Sequence, residues 1–246
     1  MNHNGYTASS GFAVRRTVIA AAHSGFARLL LSRDDVFVTV GCSEALEHCI
    51  AVLAAPGSNV LLPSPGFPLY ETICQRHGVI CRFYSLLPDS CWEVDLESVK
   101  QLTDASTAAI LINNPSNPCG AVYSREHLVA LSSLADELKL PMIADEVYAG
   151  MTFGKEVVPL AEVSEEVPVF SVGALSKRWL VPGWRLGWVC VHDLHNLLEG
   201  SGVRAAINSL CQLSIVTSAR LQAAIPTIVA IDDRDCLSYV MSRSRI

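Results

Sequence analysis

PVFSVGALSKRWLVPGWRLGWVCV, running from Pro168 to Val191, decides how this chain is read. It opens on PVFSVGALS, an apolar run of the kind that forms a buried strand, and closes on a second such run, GWVCV (Gly187 to Val191). A polar loop lies between them. Lys177 follows directly on the first run, where an amine loses hydration and is left nucleophilic. Arg185 stands eight residues further on, past a Pro182-Gly183 turn that can return it toward Lys177, and its planar fork suits a phosphate. A lysine in a loop is by itself most often a surface residue. Its weight here comes from what stands upstream.

Upstream, strand-like and helix-like stretches alternate. VFVTV (Val36 to Val40), NVLLP (Asn59 to Pro63), VICRFY (Val79 to Tyr84), AAILINNP (Ala108 to Pro115) and PMIADEVY (Pro141 to Tyr148) read as strands. Ser43 to Leu53, Leu69 to His77 and Arg125 to Leu138 read as amphipathic helices, closed by Pro56-Gly57 and Gly78 in the first two cases. Strands separated by crossover helices predict an α/β fold: a mostly parallel sheet with helices on both faces. Ligands of such sheets bind at the carboxyl ends of the strands, so the informative residues should follow each strand.

They do. Gly41-Cys42-Ser43 follows VFVTV and opens a helix whose free N–H groups suit a phosphate, with the Ser43 hydroxyl beside them; a plain Ser N-cap would look the same. Pro65-Gly66-Phe67-Pro68-Leu69-Tyr70 holds Phe67 where its face can stack on a planar ring, although taken alone the segment reads as a core aromatic. Asn113-Asn114-Pro115-Ser116-Asn117-Pro118-Cys119-Gly120 is a rigid loop from which Asn117 can hydrogen-bond a phenolate oxygen; a plain turn is the simpler alternative. Asp145 ends the apolar run PMIA, and a carboxylate there is costly unless paired, for example with a protonated pyridine nitrogen. Tyr148 lies three residues on and can reach the same face.

Composition excludes other classes. Half of the 246 residues are hydrophobic, enough for a substantial core, and the net charge of −6 comes without any Lys/Arg block that would suit nucleic acid or a membrane surface. No apolar run is long enough to span a bilayer. The nine cysteines contain no CxxC pair, so a metal site is not expected, and they read as reduced thiols of an intracellular protein, cytoplasmic first, with a mitochondrial location left open. The basic, acid-poor start (Arg15, Arg16, Arg28 and Arg33, with no acid before Asp34) has transit-peptide composition but is read as folded protein.

GCS, PGFPLY, NNPSNPCG, ADEVY and SKRWLVPGWRLGW stand in the order and spacing of the fold-type-I pyridoxal-phosphate aminotransferases, and SKRWLVPGWRLGW is similar to the tyrosine aminotransferase form. The resemblance runs from about Asn4 to His192. It implies a pyridoxal 5'-phosphate cofactor with Lys177 as the Schiff-base lysine and proton carrier, and Asp145 as partner of the ring nitrogen. It also implies Asn117 and Tyr148 on the ring 3-oxygen, Phe67 stacked on the ring, and Cys42 (through its N–H), Ser43 and Arg185 around the phosphate. Tyr6, in NGYTASSG, matches the tyrosine that reaches the phosphate of the partner subunit in a homodimer, which is why the N-terminus is read as folded protein. The implied activity is transfer of the amino group of tyrosine or a related amino acid to 2-oxoglutarate. A β-elimination or carbon–sulfur lyase on the same scaffold, and a non-catalytic fragment that binds cofactor or dimerises, stay open beside it.

Three departures accompany the resemblance. The family commonly has Ser or Thr where Ala174 stands, so one phosphate contact is missing. The arm that precedes Tyr6 in the family is expected to be missing. Beyond about Val191 the resemblance weakens, so residues 1–192 are expected to be a cofactor-binding domain and 193–246 a divergent, mainly helical tail. The small domain that supplies the arginine for the substrate carboxylate is then largely lacking. Arg204, Arg220, Arg234, Arg243 and Arg245 lie in this tail, and none matches that arginine. A chain of this kind should bind cofactor more readily than it turns over substrate.

Overall fold

In the computed structural model, residues 3–24, 29–215 and 217–230 are described; Arg28, Arg234, Arg243 and Arg245 lie outside them. The strands are β1 (Val36–Thr39), β2 (Asn59–Ser64), β3 (Ile80–Leu87), β4 (Glu93–Val94), β5 (Thr107–Asn113), β6 (Met142–Asp145), β7 (Val169–Ala174) and β8 (Gly187–His192). The helices are α1 (Ala13–Ser24), α2 (Gly41–Leu53), α3 (Leu69–Arg76), α4 (Leu96–Leu102), α5 (Arg125–Leu138), α6 (Leu160–Val163), α7 (Val203–Ser214), α8 (Ala219–Ala223) and α9 (Ile225–Val229).

The apolar strands are buried on both sides, and their period of two sorts successive side chains onto opposite faces. Val60, Leu62, Leu111, Ile143 and Phe170 pack with Cys49 of α2, Ile73 of α3 and Ile207 of α7. Leu61, Ile110, Ile112 and Met142 pack against Val99 of α4, Leu128 of α5 and Leu160 of α6 on the other face. On that same side of the outer strands, Val36, Val38, Trp188 and Cys190 meet Ile19 of α1 and Ile228 of α9.

The strands run in the order β1-β8-β7-β6-β5-β2-β3-β4. From β7 through β6, β5 and β2 to β3 all pairings are parallel. β8 is antiparallel to both β7 and β1; no crossover helix separates β7 from β8, so the chain turns back beside itself. Being antiparallel to the same strand, β1 and β7 point the same way. The carboxyl ends of β1, β2, β5, β6 and β7 therefore share one edge of the sheet with the amino end of β8.

Local chemistry places the element ends. Asp95 accepts from the N–H groups of Glu97 and Ser98 and starts α4, and Ser124 accepts from His127 N and starts α5. Helix α2 begins at Gly41 rather than at Ser43: Val40 is the cap residue, and its N–H is taken by the Glu44 carboxylate at 2.5 Å.

Candidate active site

One cavity at the shared edge is lined by Cys42, Ser43, Phe67, Asn117, Asp145, Tyr148, Lys177 and Arg185. They come from the segments after β1, β2 and β5, from the end of β6 and the residues after it, and from the β7–β8 connection. Tyr6 is not among them. It is 92% exposed and lies by a separate open cleft, where the Arg220 guanidinium holds Asn4.

Asp145, 3% exposed at the end of β6, anchors the cavity floor. Its Oδ2 accepts from the Tyr70 hydroxyl at 2.7 Å, and its Oδ1 accepts from Val147 N–H at 3.2 Å and from the Cys42 thiol at 3.6 Å. Burial pushes its pKa above the usual carboxylate value, opposed by those three donors and by the charge of Lys177. The same burial, with the neighbouring Asp145 charge, pushes the Cys42 thiol and the Tyr70 phenol well up, so both remain protonated donors.

The neighbouring strand end is tied to this floor. Asn113 sits opposite Asp145 in the β5–β6 register. Its Nδ2 donates to the Asp145 main-chain oxygen at 3.0 Å, and its Oδ1 accepts from Asn117 N–H at 2.6 Å. Asn114 Oδ1 accepts from Tyr123 N–H at 3.0 Å. The first two asparagines thus fix the loop that carries Asn117. Above it, Lys177 Nζ stands 5.3 Å from the centre of the Tyr148 ring, and the Phe67 ring meets Tyr70 edge-on at 5.7 Å between centroids.

The lining around the start of α2 is cationic. Gly41 has φ +77°, and a Cβ there would fall 2.3 Å from Nη2 of Arg185; a Cβ on Gly187 would fall 2.5 Å from the main-chain carbon of Gly41 and 2.8 Å from Cys42 N. Two glycines therefore let the guanidinium and the start of β8 close onto the first turn of α2. Arg185 spends one N–H on the Pro182 carbonyl at 3.0 Å. A guanidinium packed on the positive end of a 13-residue helix is electrostatically unfavourable alone and becomes favourable around an anion.

The family model for class I and II aminotransferases matches residues 1–246. This chain is a class I and II aminotransferase family member. It is 42% identical to human tyrosine aminotransferase over 228 residues, 92% of this chain and 50% of that protein. In three dimensions it is similar to an alanine aminotransferase from Pyrococcus furiosus (TM-score 0.92, 30% identity, 98% of this chain and 61% of the other). It is also similar to the tyrosine aminotransferase of Leishmania infantum (TM-score 0.90, 29% identity, 98% and 60%). The family match continues beyond His192, where the short motifs cease. The chain spans about half the length of the human relative.

Sequence reasoning assigned no role to Tyr70 or Asn113. The signal for Tyr70 was its place three residues after Phe67, which puts the two side chains on one side of a helical turn. Asn113 carried no local signal, because its partner Asp145 is 32 positions away.

Proposed function

We propose that this cavity holds pyridoxal 5'-phosphate and that the chain is the cofactor-binding part of an aminotransferase acting on tyrosine or a related amino acid, with 2-oxoglutarate as acceptor. The observation that carries this is the set of charged groups lining a single cavity: a buried carboxylate, a guanidinium on a helix N-terminus and an amine. A molecule with an anionic phosphate, a protonatable ring nitrogen and an amine-reactive carbon fits that set. When bound, the cofactor supplies an electron-withdrawing ring that stabilises negative charge at the substrate α-carbon.

The chain's own groups divide the remaining work. Cys42 N–H, Ser43 and Arg185 hold the phosphate. Phe67 covers one ring face. Asp145 accepts from the ring nitrogen, and Asn117 with Tyr148 donates to the 3-oxygen. Lys177 Nζ holds the cofactor before substrate arrives, then takes and returns the proton at the α-carbon. Tyr6, exposed and remote from its own cavity, serves the phosphate of the partner subunit in a homodimer. Residues 1–192 form the cofactor domain and 193–246 a divergent, mainly helical tail, whose Ile207 and Ile228 pack against it. The eight described cysteines are all unpaired, which suits a reducing, cytoplasmic setting.

The test is chemical trapping. The chain is loaded with pyridoxal phosphate, reduced with borohydride, digested and mapped. The pyridoxyl group is expected on Lys177. A label on Lys139 or Lys155 instead would sink the assignment. Amino transfer from tyrosine to 2-oxoglutarate is assayed on the same preparation.

A further inference from the structure

Asp145 is satisfied in an uneven way. A carboxylate offers about four acceptor positions, two on each oxygen. Oδ1 has both taken, by Val147 N–H and by the Cys42 thiol. Oδ2 has one taken, by the Tyr70 hydroxyl, in a buried bond of 2.7 Å. One position is left, on Oδ2, and Asp145 lines the cavity. Two of the three donors come from different helices: Cys42 from the first turn of α2 and Tyr70 from the first turn of α3. The carboxylate is thus gripped on both oxygens and cannot rotate without breaking a bond at each.

We propose that Tyr70, assisted by Cys42, is the positioning residue of this site: its hydroxyl holds Asp145 ionised and in the one rotamer that leaves a single Oδ2 lone pair for a cationic N–H of the ligand. This deepens the cofactor reading above and rests on it. The ring of Tyr70 is 2% exposed and packs in the core beside Ile73 and Cys74, so the hydroxyl is the only part of the side chain with polar work to do. The other charged or titratable groups bearing on Asp145 do not substitute for it. Lys177, from the β7–β8 connection, supplies charge without fixing the carboxylate's rotation, and Arg185, from the same connection, bears on Cys42. Cys49 of α2 and Glu146, the residue after β6, respond to the Asp145 charge and donate nothing to it.

Tyr70→Phe keeps the ring and deletes the donor. Cys42→Ala removes the second donor, and Cys42→Ser restores one. Each variant of the full chain is examined in two ways. The protonated-carboxyl infrared band of Asp145, identified by its loss in Asp145→Asn, is titrated without cofactor. Borohydride labelling of Lys177 is measured against pyridoxal phosphate concentration. A hydrogen bond to a charged group corresponds to roughly one to two pH units, so Tyr70→Phe is expected to raise the Asp145 midpoint by about that much and weaken half-maximal labelling about tenfold. Cys42→Ala is expected to do the same more weakly, with Cys42→Ser returning toward wild type. If wild type labels at Lys177 but Tyr70→Phe shifts neither curve, the positioning role is overturned while the cofactor reading stands. If wild type does not label at Lys177, the cofactor reading itself fails; the infrared titration then still decides whether Tyr70 governs Asp145.

Discussion

Two glycines in PGWRLG look alike in sequence and differ in what surrounds them. A Cβ on Gly183 would meet nothing within 4 Å, whereas a Cβ on Gly187 would collide with the main chain of Gly41 and Cys42. Backbone cannot yield as a flexible side chain does. Gly187→Ala should therefore cost about 3 kcal/mol and lower the thermal midpoint by roughly 6–12 °C. It should also weaken protection of the chain by inorganic phosphate, because the turn of α2 and Arg185 can no longer close together. Gly183→Ala should stay within about 0.5 kcal/mol of wild type. Equal midpoints for the two variants would show that the close approach of β8 to α2 is not what places the anion end of the site.

Element ends follow local rules wherever a side chain caps them. Asp95 takes two N–H groups of the first turn of α4. Helix α4 packs against β3 and α5, on the face opposite α2 and α3. Asp95→Ala should cost about 1 kcal/mol, seen as a fall of roughly 2–4 °C in the thermal midpoint, with Lys177 labelling unchanged. A loss of labelling would mean that the two faces of the sheet are coupled. The boundaries of α5 could be read directly from Ser124 and the apolar period that follows. The start of α2 could not, because its cap is made by Glu44 reaching back to Val40 rather than by Ser43. The reversal of β8 was equally hidden: the absence of a crossover helix between β7 and β8 favours a return beside β7, but its pairing with β1 on the other side depends on the assembled sheet.

Taken as one body, the molecule buries groups whose ionisation responds to pH in opposite senses. His23 accepts from the Trp188 indole at 2.9 Å, and burial lowers its pKa from 6.5 to about 4. Burial lowers His192 from 6.5 to about 3. Both are neutral in the fold and take up protons on unfolding, so their penalty is absent above pH 6.5 and grows as pH falls below it. Glu146 behaves in reverse: burial raises it from 4.5 to about 7, so its penalty is absent below pH 4.5 and grows as pH rises toward 7. The displacement corresponds to at most roughly 3 kcal/mol, less where water in the adjoining cavity screens it. Glu146→Gln keeps an oxygen for the Leu160 N–H and removes the ionisation. Its stability relative to wild type should therefore increase between pH 4.5 and 7 by about 2–3 kcal/mol in denaturant titrations. A flat difference across that window would show that Glu146 is ionised in the fold.

The periodic apolar runs and the Pro/Gly turns were enough to specify an α/β sheet and its helices, because burial and turn chemistry act over a few neighbouring positions; the eight lining residues were named by the resemblance that the short motifs carry together, each motif alone having a plainer reading. What they could not supply was anything that depends on distant segments meeting. The antiparallel pairing of β8 with β1, the closure of Gly187 onto Gly41, the Asn113 bridge to β6 and the grip of Tyr70 and Cys42 on Asp145 join positions from 32 to 154 residues apart. A hydrogen bond or a steric contact reaches only a few ångströms and leaves no periodic trace in the chain. Which donors surround a buried carboxylate is therefore settled by how the strands are ordered, and only the assembled sheet puts Tyr70 and Asp145 within 2.7 Å.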